Sequence, residues 1–195
     1  MKVALLGVGV VSAIALASLT ASAQLPLGVS APDQMTVSDP AAQTDFGDRY
    51  RAGTGVAQNY TEALRWYRLA AAQKDGRALR ALGEMAMAGE GERRDDGAAL
   101  KLWKQAEAAG DPRAPILVAD YLFLKTTGVA APTTPGMQLT IRRSMAFDKL
   151  GETQRWYKLA AIRDDRPEVK SRARSQAMMF DAIVGLAAKI EDRRR

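Results

Sequence analysis

The chain has 195 residues, of which 47% are apolar and 26% charged, and this composition is typical of a folded globular protein rather than a disordered one. The absence of cysteine excludes disulfides, thiolate metal sites and a lipid-modified N-terminal cysteine, and the absence of histidine removes the commonest general base and metal ligand. The formal net charge of +6 is unevenly spread: residues 142–195 contain 14 basic and 8 acidic residues, whereas residues 24–141 contain 13 and 14.

The first residues have the pattern of an export signal. Lys2 precedes an apolar stretch over residues 3–19, which is followed by the small-x-small sequence ASA ending at Ala23. We therefore predict a signal peptide over residues 1–23, cleaved between Ala23 and Gln24, and export, in a bacterium to the periplasm. The alternative is an uncleaved membrane anchor, because the apolar stretch is almost long enough to span a bilayer.

The middle of the chain repeats itself at an interval of 36 residues. The shift aligns Gly53 and Gly55 with Gly89 and Gly91, Ala63 with Ala99, Tyr67 with Trp103, and Ala70 with Ala106. A third copy fits if 18 further residues are inserted, which brings Tyr157 into the same phase. We predict repeats over 39–74, 75–110 and 111–165, with an insertion near 124–149, after a flexible lead-in over 24–38.

Each repeat has the pattern of two helices joined by a turn. Asp39-Pro40 and Asp111-Pro112 have the form of an N-cap followed by proline at the first helical position. Apolar residues then recur at spacings of three and four: Ala42, Phe46 and Tyr50; Ala78, Leu82 and Met85; Ala114, Leu117 and Tyr121. The glycine pairs end this first helix, because glycine accepts a positive φ without a Cβ clash. In the third repeat, Lys125 and Thr127 stand where the glycines are expected.

Bulky and small side chains alternate around the predicted second helix. In the first repeat Trp66 and Tyr67 come close to Ala63 and Ala70, and Gly47 lies on the preceding helix. We predict that the small residues let the two helices of a hairpin approach closely, and that the rings fill the gap between one hairpin and the next. A ligand-stacking platform is the alternative, but rings that share one phase of a repeat favour a core.

These motifs resemble the Sel-one-like repeat (SLR), a relative of the tetratricopeptide repeat. FGDRYRAGTGVAQNYTEALRWYRLAA, over residues 46–71, is closely similar to its pattern, LGEMAMAGEGERRDDGAALKLWKQAEAAG, over 82–110, is a second copy, and RWYKLAA, over 155–161, is a half-repeat. The resemblance covers about residues 39–161. It implies an all-α fold, a right-handed α/α superhelix of about three helix pairs, used as a protein-interaction adaptor.

Residues 166–195 have the pattern of a C-terminal capping helix with a basic tail. From Glu168 on, apolar residues recur at helical spacing: Val169, Ala173, Ala177, Phe180, Val184, Ala187 and Ile190. We predict that Asp165 caps this helix and that the helix covers the exposed end of the stack, as solenoids require. Met178 and Met179 fit the same seam, although a methionine-rich binding groove is an alternative.

No pattern of catalytic residues is recognisable. The chain lacks a Gly-x-Ser-x-Gly motif, a phosphate-binding glycine-lysine loop and metal-ligand spacing. The acidic stretch GEGERRDD, residues 89–96, lacks the spacing of an EF-hand and falls in the predicted turn of the second repeat. A cysteine-rich branch of the resembled family is linked to penicillin binding and β-lactamase activity, but its helix pairs are joined by disulfides. We therefore predict a protein that is not an enzyme and uses neither a cofactor nor a metal.

The repeat also brings charged residues into phase. Asp48, Glu84 and Asp120 follow the small residue of each first helix, and two basic series lie on the second helices: Arg65, Lys101 and Arg155, then Arg68, Lys104 and Lys158. The resemblance implies that first helices line the concave surface, so we predict an acidic concave wall and a basic convex wall. Candidate partner-binding residues are Asp48, Tyr50, Glu84 and Asp120, which suit a basic protein segment. Alternatively, all three series are merely solvated positions.

The sequence therefore predicts an exported, non-catalytic adaptor that binds another protein through the concave face of a short solenoid. The basic C-terminal third indicates affinity for an anionic envelope surface, with a plain solvated surface as the alternative, and export argues against a nucleic-acid partner. Two other classes stay open: an envelope enzyme or factor that binds peptidoglycan or another glycan, and a structural protein that self-assembles.

Overall fold

A computed structural model describes residues 38–128 and 147–192, with side chains over 151–183 and at 185 in the second range. The chain divides into two units, Met1–Ser30 and Ala31–Arg195, and every described residue belongs to the second. Four sequence predictions thus lie outside the described residues: the signal peptide, nearly all of the lead-in, most of the insertion and the tail Arg193–Arg195.

The described residues contain seven helices and no strand. The helices are α1 (Pro40–Ala52), α2 (Tyr60–Ala72), α3 (Gly76–Ala88), α4 (Asp96–Ala108), α5 (Ala114–Thr127), α6 (Phe147–Arg163) and α7 (Pro167–Asp192). They pack as three hairpins, α1–α2, α3–α4 and α5–α6, and α7 packs against α6. The predicted all-α helical repeat of three pairs with a closing helix is confirmed. None of the described helices has both the length and the apolar character needed to cross a membrane.

Two of the predicted helix starts carry the expected aspartate. Asp39 caps α1, and its carboxylate accepts hydrogen bonds from two backbone N–H groups of the first turn. The Asp111 carboxylate accepts from the N–H groups of Arg113 and Ala114. Helix α5 therefore begins at Ala114, two residues after the predicted start at Pro112.

The residue that caps α7 lies one position before the predicted one. The helix begins at Pro167, and the carboxylate that accepts the nearby backbone N–H, that of Arg166, belongs to Asp164 rather than to Asp165. Burial alone would raise the pKa of Asp164, but the hydrogen bonds and charge of Arg166 outweigh it and lower that pKa. Asp165 is exposed and pairs with Arg113 instead.

The glycine cap predicted to be missing from the third repeat is present three residues further on. Gly53 and Gly89 end α1 and α3 in the left-handed region, and Gly128 ends α5 with the same conformation, at φ 70°. Relative to α3, helix α5 begins two residues later in the repeat register and has 14 residues instead of 13. These two offsets move the glycine from the register position of Lys125 to 128.

The rings and the small residues interlock. A Cβ on Gly47 would lie 2.5 Å from Cε1 of Tyr67, and a Cβ on Gly83 would lie 2.5 Å from Cδ1 of Trp103. Each ring therefore covers a glycine of the first helix in its own hairpin. Tyr67, Trp103 and the third ring of the series, Tyr157, are all buried, so they form core and offer no ligand-stacking platform.

The same rings also join successive hairpins. Tyr67 packs in one cluster with Leu82 and Met85 of α3, and Trp103 packs with Val118 of α5. The last seam joins the third hairpin to α7 and contains Phe123, Tyr157, Ala160, Ala173, Ala177 and Phe180. Burial of this α7 face agrees with the predicted capping role. Val184, Ala187 and Ile190 lie outside the side chains described.

Some predicted core positions are only partly buried. Phe46, Tyr50, Leu117 and Tyr121 keep part of their surface in solvent. Met179 packs against the last seam, but Met178 on the same helix is exposed, so only one of the two methionines is in the seam.

Candidate functional site

The first helices of the hairpins lie side by side and share a surface. Arg51 of α1 bonds Glu84 of α3, and Asp120 of α5 bonds Arg172 of α7, so each pair links neighbouring helices. We call the surface made by α1, α3, α5 and α7 the first-helix face. The three predicted acidic candidates all lie on it, each within its own set of partners.

Asp48 is bound on both carboxylate oxygens. The buried Tyr67 hydroxyl donates to Oδ1 at 2.6 Å, and Arg77 Nη2 donates to Oδ2 at 3.1 Å. Arg77 also bonds Asp45 at 3.1 Å, so two carboxylates share one guanidinium. Burial and then the hydrogen bond to Asp48 raise the pKa of Tyr67, so the phenol stays protonated as the donor. The Asp48 side chain is nevertheless 51% exposed.

Glu84 sits between two arginines. Arg51 donates to Oε2 at 2.9 Å and Arg80 to Oε1 at 2.7 Å. The other partner of Arg51 is Glu90 at 2.7 Å, and the other partner of Arg80 is the capping residue Asp111 at 3.0 Å. The result is a chain of alternating charges that ties the first two hairpins to the start of the third.

Asp120 has the same kind of partners as Asp48. The Tyr157 hydroxyl donates to Oδ1 at 2.9 Å, and Arg172 Nη2 donates to Oδ2 at 2.8 Å. Burial raises the pKa of Asp120, even though Arg172 and the Tyr157 hydroxyl act in the opposite direction. Only 30% of this side chain is exposed, so Asp120 is more enclosed than Asp48.

Tyr50, the fourth candidate, is half-buried. Its ring packs against the cluster that joins the first two hairpins. Its backbone carbonyl accepts the N–H of Asn59 and so helps to close the turn between α1 and α2.

The arginine partners were not identified from the sequence. Arg51, Arg77, Arg80 and Arg172 are not in phase with one another, so a search for repeated charges passes over them. One signal was available: Arg51 shifted by one repeat falls on position 87, three residues after Glu84. In the structure, this offset of about one helical turn accompanies the contact of Arg51 on α1 with Glu84 on α3.

The two basic series of the second helices behave differently. Arg68 and Lys104 form ion pairs with acids of the next repeat, Glu92 and Glu152, and Lys158 pairs with Asp181 of α7, all at 2.7–2.8 Å. Arg65, Lys101 and Arg155 are exposed. One series therefore links repeats, and the other faces solvent.

Residues 89–96 form the predicted turn between α3 and α4. Asp95 caps α4 by accepting the N–H of Ala98. The remaining acids of the turn pair with arginines: Glu90 with Arg51, Glu92 with Arg68, and Asp96 with Arg94.

The sequence did not predict a groove on the C-terminal part of the first-helix face. It has a volume of about 380 Å³ and lies among α3, α5 and α7. Its walls include Met87, Leu117, Tyr121 and Leu124, and the Asp120–Arg172 pair also lines it. The groove depends on how three helices meet, which no single repeat encodes.

Comparisons with known proteins agree with this architecture. A family model described as the Sel1 repeat matches residues 40–75 and 76–111. A Sel1 repeat protein from Oxalobacter formigenes has 30% sequence identity, and its crystal structure aligns with a TM-score of 0.51 over 71% of this chain and 90% of that one. A protective antigen of uropathogenic Escherichia coli with an SLR fold has 20% identity and a TM-score of 0.44, over 71% of this chain and 31% of its own. No curated protein matches significantly.

Proposed function

The chain belongs to the Sel1 repeat family, and on that premise we propose that it is an exported, non-catalytic scaffold that binds a partner protein through its first-helix face. Members of this family are generally protein-interaction scaffolds. The polar residues singled out on this face fit a non-catalytic role, because they form ion pairs and helix caps that hold the helices together.

The observation that carries the choice of face is the uneven charge at its α1 end. Asp45 and Asp48 are both exposed and share the single guanidinium of Arg77, which leaves one negative charge uncompensated within this group. A basic segment of the partner would complete this group. In the proposal Asp48 makes the direct contact, and the half-buried Tyr50 is a second contact.

Glu84 and Asp120 enter the proposal in a different way. Both carboxylates accept two hydrogen bonds from within the protein, as Asp48 does, but only 29% and 30% of their side chains are exposed, against 51% for Asp48. A partner cation would have to displace an arginine, so we propose that these two residues act by positioning Arg80 and Arg172. Charge reversal at either position would break internal bonds and is therefore a poor test of binding.

The proposal is tested by photo-crosslinking in the native host. A photoreactive phenylalanine analogue replaces Asp45 or Leu124 on the first-helix face, or Lys101 or Arg155 on the exposed side of the second helices. We expect the same partner, identified by mass spectrometry, to be captured from both first-helix positions and from neither second-helix position. Capture only from the second helices would overturn the choice of face, and the absence of capture from all four would overturn the scaffold function.

Export is part of the proposal and has its own test. The first 23 residues carry the signal pattern, and N-terminal sequencing of the protein from the periplasmic fraction should begin at Gln24. Protein that begins at Met1 and stays with the membrane would instead support an anchor.

Attraction to an anionic envelope surface is supported by the net charge of +6 over residues 142–195, from 14 basic and 8 acidic residues. The exposed side chains of Arg155 and Arg174 contribute to it. Flotation with phosphatidylglycerol vesicles should carry the cleaved protein upward at low salt but not at high salt, whereas phosphatidylcholine vesicles should not. Equal flotation with both lipids would contradict this attraction.

A further inference from the structure

We propose that the groove among α3, α5 and α7 binds a partner segment in which a large apolar side chain lies next to a carboxylate. This inference rests on the proposed scaffold function and names the chemistry of the partner at one end of the first-helix face. The apolar side chain fills the groove, and the carboxylate binds Arg172.

The groove has the size and lining for an apolar side chain. Its volume of about 380 Å³ lies at the lower end of the range for ligand pockets, about 300–1,000 Å³. Leu124 forms part of the wall and is 44% exposed. Trp103 also lines the groove, but its indole N–H edge faces Gly83. The wall therefore offers apolar contact.

The polar edge of the groove favours an incoming anion over a cation. Both oxygens of Asp120 already accept hydrogen bonds, from Tyr157 and Arg172. Arg172 uses only Nη2 for its contact with Asp120 among the described residues, and its side chain is 39% exposed. Its other N–H groups can donate to a carboxylate, in the planar geometry that arginine offers to such groups.

Further basic residues lie around the same end of the face. Arg94 lies against the groove wall, with Nη2 3.6 Å from the Met87 sulfur, while its other contacts are to Asp96. Lys125 directly follows Leu124 and is exposed. A carboxylate beside the apolar anchor therefore meets positive charge at this end, in contrast to the acidic pair Asp45 and Asp48 at the α1 end.

The experiment is selection of a random 12-residue peptide library, displayed on phage, against the full-length chain. We expect the enriched peptides to place Leu, Ile, Met or Phe within about three positions of Asp or Glu, as one groove and one guanidinium require. Enrichment of lysine-rich or arginine-rich peptides, of apolar peptides without an acid, or of no peptide at all would overturn the inference.

Variants then locate the binding site by fluorescence anisotropy with the best synthetic peptide. Leu124→Asp puts a charge in the wall, and Arg172→Gln removes the cation. Each should weaken binding by about tenfold or more, because one desolvated charge or anchor has an effect of that size. Arg174→Gln, an exposed arginine on the same helix, is the matched control and should change binding less than about twofold. Equal binding by all variants would overturn the site.

Two controls keep the result decisive. Arg172→Gln also deprives Asp120 of a partner, so circular dichroism must show that this variant folds like the wild type. If the variant is misfolded, the binding result for Leu124→Asp alone tests the site. Sedimentation velocity of the wild type at rising concentration excludes the other occupant, a second copy of the chain. Self-association that Leu124→Asp abolishes would make the groove a dimer interface and overturn the inference.

The outcomes separate this inference from the scaffold function. Crosslinking at Leu124 and Asp45 that captures a partner, combined with the wrong peptide chemistry, would leave the scaffold standing and reject the groove chemistry. Binding of apolar-acidic peptides without any partner captured in the cell would support the groove chemistry and reject the scaffold function.

Discussion

In the first and third hairpins, a tyrosine on the second helix donates its hydroxyl to an aspartate on the first: Tyr67 to Asp48 and Tyr157 to Asp120. In the second hairpin the same position holds Trp103, whose indole nitrogen has no hydrogen-bond partner among the described residues. The acid at the matching position, Glu84, instead pairs with two arginines.

The difference indicates that the ring on the second helix determines which partners the neighbouring acid binds. A tyrosine holds the carboxylate against its own hairpin, and one more arginine from the next helix completes the set. Where tryptophan replaces tyrosine, the carboxylate is free to link helices by charge alone. The three acids look equivalent in the sequence, yet two bind the hydroxyl of a buried tyrosine and one belongs to a chain of charges between helices.

The largest effect is expected from Trp103→Ala, which tests how much the packing of this ring contributes to the stability of the second hairpin. Trp103 is buried against Gly83 and between two hairpins, so its removal should lower the free energy of unfolding by about 3–5 kcal/mol. Urea denaturation followed at 222 nm measures it. The matched control is the partly buried Trp156, whose replacement by alanine should cost less. Equal losses would contradict a special role for the position over Gly83.

Gly47→Ala probes the contact between ring and glycine directly. The new Cβ would lie 2.5 Å from the ring of Tyr67, which is buried and hydrogen-bonded to Asp48, so it cannot move away freely. Overpacking of about 1–3 kcal/mol should outweigh the gain of up to about 1 kcal/mol in helix propensity. We expect a net loss of about 1–2 kcal/mol in the free energy of unfolding.

Gly151→Ala is the control for that substitution. Gly151 is also inside a helix, but among the side chains and neighbouring helices that the structure describes, no atom lies within 4 Å of its added Cβ. Only the propensity gain then applies, and the protein should become more stable by about 0.5–1 kcal/mol. A gain in stability in both variants would show that the Tyr67 ring moves to accommodate the methyl group and that Gly47 is not required.

These packing features could be predicted from the sequence because they repeat. Gly47 and Gly83, and Tyr67 and Trp103, are one period apart, so their phase alone indicates a core of rings on small residues. The errors occur where the period breaks. The interval to the third copy is 54 residues, and it conceals a two-residue shift in the start of α5; the caps at Gly128 and Asp164 follow local geometry instead.

The candidate site was predictable only in part, for a related reason. The position of Asp48, Glu84 and Asp120 on one face follows from the period. Their arginine partners do not, because a pair across two helices depends on the offset between those helices, and the offset changes from seam to seam. Arg77 reaches Asp48 across 29 residues of chain, whereas Arg172 reaches Asp120 across 52.

Removal of the phenol hydroxyl tests how far the tyrosine–aspartate bonds of the first and third hairpins are equivalent. Tyr157→Phe leaves the enclosed Asp120 with one partner fewer, and we expect a loss of about 1–2 kcal/mol in the free energy of unfolding. Tyr67→Phe should cost less, under about 1 kcal/mol, because the more exposed Asp48 can bind water in place of the hydroxyl. The same denaturation assay compares them, and a larger loss at Tyr67 would contradict the ranking by exposure.

The smallest effects are expected in the dependence of stability on pH, where Asp164 and Asp120 should act in opposite directions. The pKa of Asp164 is lowered in the folded protein, so its contribution is present above the ordinary aspartate pKa of about 3.9 and is lost as pH falls below it. The pKa of Asp120 is raised, so its contribution is greatest below about 3.9 and declines as pH rises through the folded value. In melting temperatures measured from about pH 2.5 to about pH 7, Asp164→Asn should therefore flatten the acid limb, and Asp120→Asn should remove a decline just above it. Curves that merely shift in parallel with the wild type would mean that neither carboxylate titrates differently in the folded and unfolded chain. The phenol and arginine around Asp120 would then fully offset its burial.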